Sequence, residues 1–330
     1  TVIGDWTGIP VGRMVQDEAK TLLEIESEIN ARIKGQDHVA PVIGNAIRAA
    51  KSGIKNPSTP MGVFLFVGPS GVGKTETALT VADVLFGGER FLTTINMSEF
   101  QAKHTVSRLI GSPPGYVGYG EGGMLTEAVR QTPYSVVLLD EVEKADQEVM
   151  NLFYQVFDKG SLSDGEGREV DFKNTVIFMT SNLASDLIQM ACSDAANPPD
   201  LETLTAGIRP VLSEYFKPAL LARMTIVPYY PINPDAMIAI TELKLEAIVK
   251  RLETAHRIKV TMEPTVAQTI VDRCKEVETG ARNVDHILNG TLLPRISTEL
   301  LQRMSDSGLP SELTIGVAED GTFAFDFGKS

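Results

Sequence analysis

The stretch Val63-Phe64-Leu65-Phe66-Val67-Gly68-Pro69-Ser70-Gly71-Val72-Gly73-Lys74-Thr75 decides the fold. Its opening residues are apolar without alternation, the pattern of a strand buried on both faces of a parallel sheet. The remainder matches G-x-x-x-x-G-K-[ST] in full. Each type has a physical reason there. Glycines let backbone N–H groups close round phosphate oxygens, and Lys74 reaches the β- and γ-phosphates. The Thr75 hydroxyl suits Mg2+, and the helix that begins here turns its positive end toward the anion. Gly68, Pro69, Ser70, Gly71, Val72, Gly73, Lys74 and Thr75 are therefore the candidate residues for ATP bound with Mg2+.

Similar apolar runs follow at Val136-Val137-Leu138-Leu139 and Val176-Ile177-Phe178-Met179. Helical patterns over Thr75 to Phe86 and Met124 to Gln131 lie between the runs, and strand–helix alternation of this kind predicts an α/β layered domain. Asp140-Glu141 ends the second run. An acid at that place holds Mg2+ beside a phosphate loop, and the next carboxylate orients and deprotonates an attacking water. Asn182 ends the third run. Its amide suits the placing of that water, and suits equally a helix N-cap or an Asx turn.

Before the phosphate loop, Leu22, Ile25, Ile29 and Ile33 recur at helical spacing with Asp17 as N-cap. A second helix is expected from Val39 to Lys51, ending near Gly53. After Pro228-Tyr229-Tyr230-Pro231 the pattern changes. Asn233-Pro234 opens a long helix to about His256, with Ile238, Leu245, Ile248 and Leu252 inward. Pro264 opens another, with Val266, Ile270 and Cys274 inward. Leu313 to Val317 and Thr322 to Phe327 read as a hairpin about Glu319-Asp320-Gly321. Two domains are expected, 1–230 and 231–330.

The chain has 330 residues and a net charge of −13, long enough for two cores. The acidic balance argues against nucleic acid as the main partner, because phosphate backbones select basic surfaces. Cys192 and Cys274 make no disulfide framework, so free thiols in a cytoplasmic protein are expected. No apolar run reaches bilayer length and no signal peptide is visible, so membrane insertion is not expected.

Taken together, Gly68 to Thr75, Leu138-Leu139-Asp140-Glu141-Val142-Glu143-Lys144 and Met179-Thr180-Ser181-Asn182 resemble the Walker A, Walker B and sensor 1 motifs of the Clp AAA+ ATPases. The run Gly111-Ser112-Pro113-Pro114-Gly115-Tyr116-Val117-Gly118-Tyr119-Gly120-Glu121-Gly122-Gly123 is similar to a signature of that family. The likeness covers nearly the whole chain and is to the second ATPase module of a two-ring protein. Trp6-Thr7-Gly8-Ile9-Pro10-Val11 resembles the linker between modules, so a fragment of a longer protein is expected. Leu85 to Arg90 and Leu92 to Phe100 look most similar to the ClpV branch of type VI secretion, with ClpB next.

The resemblance implies an AAA+ P-loop NTPase domain of parallel sheet and flanking helices, then a smaller α+β lid domain. It implies an ATPase that works as a ring homo-oligomer, a hexamer in the full-length protein, and threads polypeptide through its pore. The ClpV branch disassembles contractile sheath proteins; a ClpB-type disaggregase is the alternative. Readings from other classes are a helicase or clamp loader, and an assembly module that binds ATP but is inactive when isolated. Arg223, in Phe216-Lys217-Pro218-Ala219-Leu220-Leu221-Ala222-Arg223, matches the arginine finger that reaches a neighbouring subunit, although the stretch departs from the commoner Phe-Arg-Pro-Glu-Phe form. Arg282, in Gly280-Ala281-Arg282, matches the sensor 2 arginine. Ile33 and Lys34 resemble the segment that packs on adenine, while Ile33 is equally a core residue of its helix face. Tyr116-Val117 corresponds to the pore loop that grips polypeptide, and Gly160 to Arg168 looks like the second pore loop. Protease-feeding members carry Ile-Gly-Leu or Ile-Gly-Phe. The Ile-Gly pairs here continue with Asp5, Asn45, Ser112 and Val317, so no protease partner is expected.

Overall fold

The computed structural model describes residues 18–116, 119–120, 122–194, 197–274, 280–306 and 311–328. The linker-like stretch Trp6 to Val11, the N-cap assigned to Asp17, and Val117 of the pore-loop pair lie outside the described residues. The chain divides into two compact units, one of Thr1–Pro69 with Gly73–Tyr230, the other of Ser70–Val72 with Pro231–Ser330.

The first unit is built on β1 (Gly62–Val67), β2 (Leu92–Asn96), β3 (Val136–Asp140), β6 (Val176–Ser181) and β7 (Thr225–Pro228), ordered β2-β3-β6-β1-β7. Every pairing in this sheet is parallel. β1 and β6 are buried at all positions, which explains their unbroken apolar runs. β2 and β7 went unread because they lack such runs. In β2 only Ile95 is buried, and the edge strand β7 closes on Pro228, which an edge tolerates. A separate hairpin pairs β4 (Ser161–Ser163) with β5 (Glu169–Asp171).

Successive residues of a strand face opposite ways. Val63, Leu65 and Val67 join Val137, Leu139, Ile177 and Met179 in a core with Leu125, Val129, Phe153 and Phe157. Leu125 and Val129 come from α4 (Met124–Gln131), and the two phenylalanines from α5 (Gln147–Lys159). On the other face Phe178 sits 5.2 Å from Phe64 and 4.8 Å from Phe66, and Phe66 lies 5.1 Å from Tyr229, all by ring centroids. The helices preceding the sheet are α1 (Glu18–Arg32) and α2 (Val39–Lys51). Ile25, Ile29 and Ile33 are buried, whereas Leu22 is only half-buried.

The phosphate loop leads into α3 (Lys74–Phe86). Its N-cap is Gly73 at φ 102°, a left-handed conformation that a side chain disfavours, and no side chain caps the first turn. Tyr229 braces this turn from below. The phenol is fully buried and donates to Thr77 Oγ1 at 2.9 Å, and Thr77 Oγ1 donates to the Gly73 carbonyl at 2.9 Å. Burial pushes the phenol's pKa up.

In the second unit β8 (Lys259–Met262) runs parallel to β9 (Glu312–Val317), and β9 is antiparallel to β10 (Phe323–Phe327). The hairpin matches the sequence reading; β8 was not foreseen. α7 (Pro234–His256) is capped by Asn233, whose Oδ1 accepts the Ala236 N–H at 2.7 Å. α6 (Leu201–Tyr215) lies between β6 and β7 in the chain and belongs to the first unit. Leu245 and Ile248 of α7, with Val266 and Ile270 of α8 (Pro264–Arg273), pack on Leu313, Ile315 and Phe323. Ile238, Leu252 and Cys274 are half-buried. α9 (Arg282–Ile287) and α10 (Leu293–Asp306) complete this unit.

Tyr229→Phe removes one buried hydrogen bond and leaves the ring packing. It should lower unfolding stability by about 1 kcal/mol. In urea the midpoint should fall with the slope unchanged.

Candidate active site

The pairing β3–β6–β1 brings three strand ends together at the carboxyl edge of the sheet, where open α/β sheets bind ligands. β1 ends in the phosphate loop, β3 in Asp140, and β6 in Ser181 with Asn182 next.

Lys74 is only 8% exposed. Its ammonium donates to the Gly68 carbonyl, to the Pro69 carbonyl at 3.1 Å, to the Ser181 carbonyl at 3.2 Å and to Asn182 Oδ1 at 2.8 Å. The Asn182 side chain is thus turned to Lys74. The helix that follows, Ser185–Ala191, has Ala184 at its N-cap with no side-chain cap. Asn182 is therefore not the N-cap of that helix.

Thr180 holds the acidic pair. Its hydroxyl donates to Asp140 Oδ1 and accepts the Glu141 N–H at 3.0 Å. Glu141 sits at φ 58°, ψ 50°, a left-handed conformation costly for a residue with a side chain. That conformation is fastened on the other side by the Lys144 N–H, which donates to the Glu141 carbonyl at 3.0 Å. The Glu141 carboxylate pairs with the Lys144 ammonium at 2.7 Å, and this bond holds the Lys144 pKa up. Glu143 faces the third strand end: its Oε1 accepts the Asn182 N–H at 3.2 Å, and its Oε2 is buried without a partner.

The other sequence candidates are placed as follows. Thr75 stands exposed in the first turn of α3. Ile33 is a buried core residue, and a Cβ built at Gly73 would meet its Cγ2 at 3.7 Å. Lys34 Nζ donates to the Asn30 carbonyl at 2.9 Å. Arg223 is paired with its own chain: Nε and Nη2 both bond Asp158, the latter at 2.9 Å, which lowers the Asp158 pKa. Arg282 opens α9 in the second unit. Tyr116 is 71% exposed. Cys192 and Cys274 are unpaired thiols.

Thr180, Glu143, Asp158 and the Gln36 clip were missed. Gln36 is buried and bonds the Tyr230 backbone twice, donating at 2.8 Å and accepting at 3.0 Å. Thr180 had a signal, since it lies two residues before Asn182 on the same strand face.

Residues 59–227 match the AAA domain (Cdc48 subfamily), and residues 232–310 match the C-terminal, D2-small domain of ClpB protein. This chain belongs to the Clp-type AAA+ ATPases. The Clp module is 49% identical to the AAA+ ATPase ClpV1 of Pseudomonas aeruginosa across the whole of its length, and 36% of that protein is covered. It is 46% identical to the chaperone protein ClpB of Yersinia enterocolitica over 91% of its length, covering 34% of ClpB. It spans about a third of the length of these relatives. A closed-state cryo-EM reconstruction of Hsp104 with ATPγS and FITC casein matches 98% of the module and 54% of that chain, at a TM-score of 0.84 and 30% identity. The AAA domain implies a nucleotide site, and among the described residues no helix is long and apolar enough to cross a membrane.

Thr180→Val keeps the shape and removes both bonds of the hydroxyl. ATP turnover should fall by about tenfold, with nucleotide affinity unchanged, when steady-state hydrolysis and nucleotide binding are measured side by side.

Proposed function

We propose that this module is a ring-forming motor that spends ATP hydrolysis on pulling polypeptide through a pore, acting in the cytoplasm on the contractile sheath of a type VI secretion apparatus. The hydrolytic part is supported by the Lys74–Asn182 contact at 2.8 Å, an ammonium and an amide in one cluster at the phosphate loop. The sheath assignment is supported by the 49% identity to ClpV1 along the whole chain.

Gly68 to Thr75 bind the phosphates, with Ile33 and Lys34 beside the base. Glu141 takes a proton from water as its oxygen attacks the γ-phosphorus; the bond to the bridging oxygen breaks and ADP carries the electron pair away. Asn182 orients that water. Lys74, together with Arg223 of a neighbouring copy and Arg282 of the same chain, stabilises the charge that develops. Thr75 and Asp140 are hard oxygen donors of the kind Mg2+ accepts alongside phosphate and water, and they would hold it. Mg2+ supplies neutralisation of the phosphate charge when bound. The ion pairs that occupy Glu141 and Arg223 are partly exposed, so water competes for them and both side chains can change partners for these tasks. Tyr116 contributes an exposed aromatic ring to grip the moving chain. The Hsp104 reconstruction, prepared with casein, supports polypeptide as the cargo class.

A second reading, general disaggregation, is favoured by the 46% identity to ClpB and by the match to the ClpB small domain. In the full-length protein, contracted sheath should stimulate hydrolysis more than heat-aggregated protein does; the reverse order selects the second reading.

Glu141→Gln should retain ATP binding and lose at least about 100-fold in turnover; turnover close to wild type would remove Glu141 from the base role. Turnover per subunit should rise with concentration as light scattering reports ring formation. A dilution-independent rate from a monomer would exclude Arg223 acting in trans.

A further inference from the structure

Four donors converge on Asp164. Its side chain is 5% exposed. Oδ1 accepts the backbone N–H groups of Glu166 at 2.9 Å and Arg168 at 2.8 Å. Oδ2 accepts Arg130 Nη2 at 2.5 Å and Arg168 Nε at 3.0 Å. The Asp164 N–H in turn donates to the Arg168 carbonyl at 2.9 Å, which closes residues 164–168 into one turn at the end of the β4–β5 hairpin.

Arg130 comes from elsewhere. It sits on α4, the helix that follows the loop bearing Tyr116, and its Nη1 also holds Glu127 at 2.7 Å. That loop is pinched at its base by an antiparallel bridge between Gly111 and Gly122. The 164–168 turn meets this base directly, with the Gly165 N–H donating to the Ile110 carbonyl at 2.8 Å. No room is left for side chains at the junction. A Cβ at Gly165 would lie 2.4 Å from the Gly111 oxygen, and one at Gly123 would lie 2.3 Å from the Leu109 oxygen. The two loops therefore touch backbone to backbone, and a buried carboxylate bonded to both sides bridges them.

Burial alone would favour the protonated acid. The donors from Arg168, Arg130 and Glu166 outweigh it and hold the pKa at about 2. The folded value lies below the unfolded one, so the stabilisation is complete above the ordinary carboxylate range and fades only as pH falls toward about 2. The neighbouring charges are Arg130, Arg168, Glu166 and Glu127. The Asp164 carboxylate thus stays ionised near neutral pH.

We propose that Asp164 is a positioning residue that fastens the 164–168 turn to the stem of the 111–123 loop, so that Tyr116 and the 164–168 turn move as one body. The coupling stands on the geometry alone; its consequence for pulling polypeptide rests on the function proposed above.

Hydrogen exchange by mass spectrometry on the full-length protein tests it with Asp164→Asn, which keeps the shape and discards the charge. Exchange should accelerate by about tenfold in both 107–124 and 160–171, with the strands 62–67 and 176–181 unchanged. Acceleration confined to 160–171 overturns the proposal. Arg168→Gln removes one donor from an exposed side chain and leaves the carboxylate. It should loosen both segments together to a smaller degree, and it decides the matter in the same terms if Asp164→Asn also loosens the strands. With FITC-casein as the probe, Asp164→Asn should lower the maximal unfolding rate per ATP hydrolysed and leave the half-saturating casein concentration unchanged, because Tyr116 itself is intact. Damage to the loop itself would raise that concentration instead. If both segments loosen together while casein processing is unaffected, the coupling stands and Tyr116 is not the gripping residue.

Discussion

The candidate site hangs on the register of one strand pair. β1 and β6 run parallel with Val67 opposite Ser181, so the phosphate loop and the Asn182 step begin at the same level. Only then can one lysine reach carbonyls on both sides and the Asn182 amide as well. A slip of one residue would exchange the faces of the whole strand. Thr180 and Asn182 would turn away together, and Asp140 and Glu141 would lose the hydroxyl that holds them. The apolar side chains that fix the register, Phe64 on Phe178 and Leu65 beside Met179, are therefore as necessary to the site as the polar groups they carry.

Two kinds of ion pair divide the molecule. Glu141 with Lys144 and Arg223 with Asp158 are partly exposed on both sides, and water competes for them. Asp164 is buried, and breaking its bonds strands a charge away from solvent. The side chains proposed for chemistry are held by the first kind and can change partners. The second kind holds backbone segments in fixed relation.

Much of this was legible in the sequence. The phosphate loop, the acidic pair after Val136 to Leu139, and the parallel sheet follow from residue type and from unbroken apolar runs. What stayed hidden has definite reasons. β2, β7 and β8 are short or half-exposed, so they lack the run that marks β1. Thr180 is polar in a buried strand, and its two bonds go to residues 40 and 39 positions away, a relation no local pattern encodes. Arg223 could be matched to a motif, but its hold on Asp158 spans 65 positions. Asp164 sits in a stretch that resembles the second pore loop of the family, but only the fold shows that Arg130 closes over it.

The loop that carries Tyr116 is unequal along its length. Pro113, Pro114, Gly115 and Tyr116 are exposed, whereas Gly123 at its foot meets neighbouring backbone where a methyl group would go. Under mutation the tip is thus open to change and the foot is closed to it, since every amino acid other than glycine carries a Cβ. A side chain exchanged at the tip leaves the joint undisturbed, whereas one added at Gly123 or Gly165 has to push backbone apart.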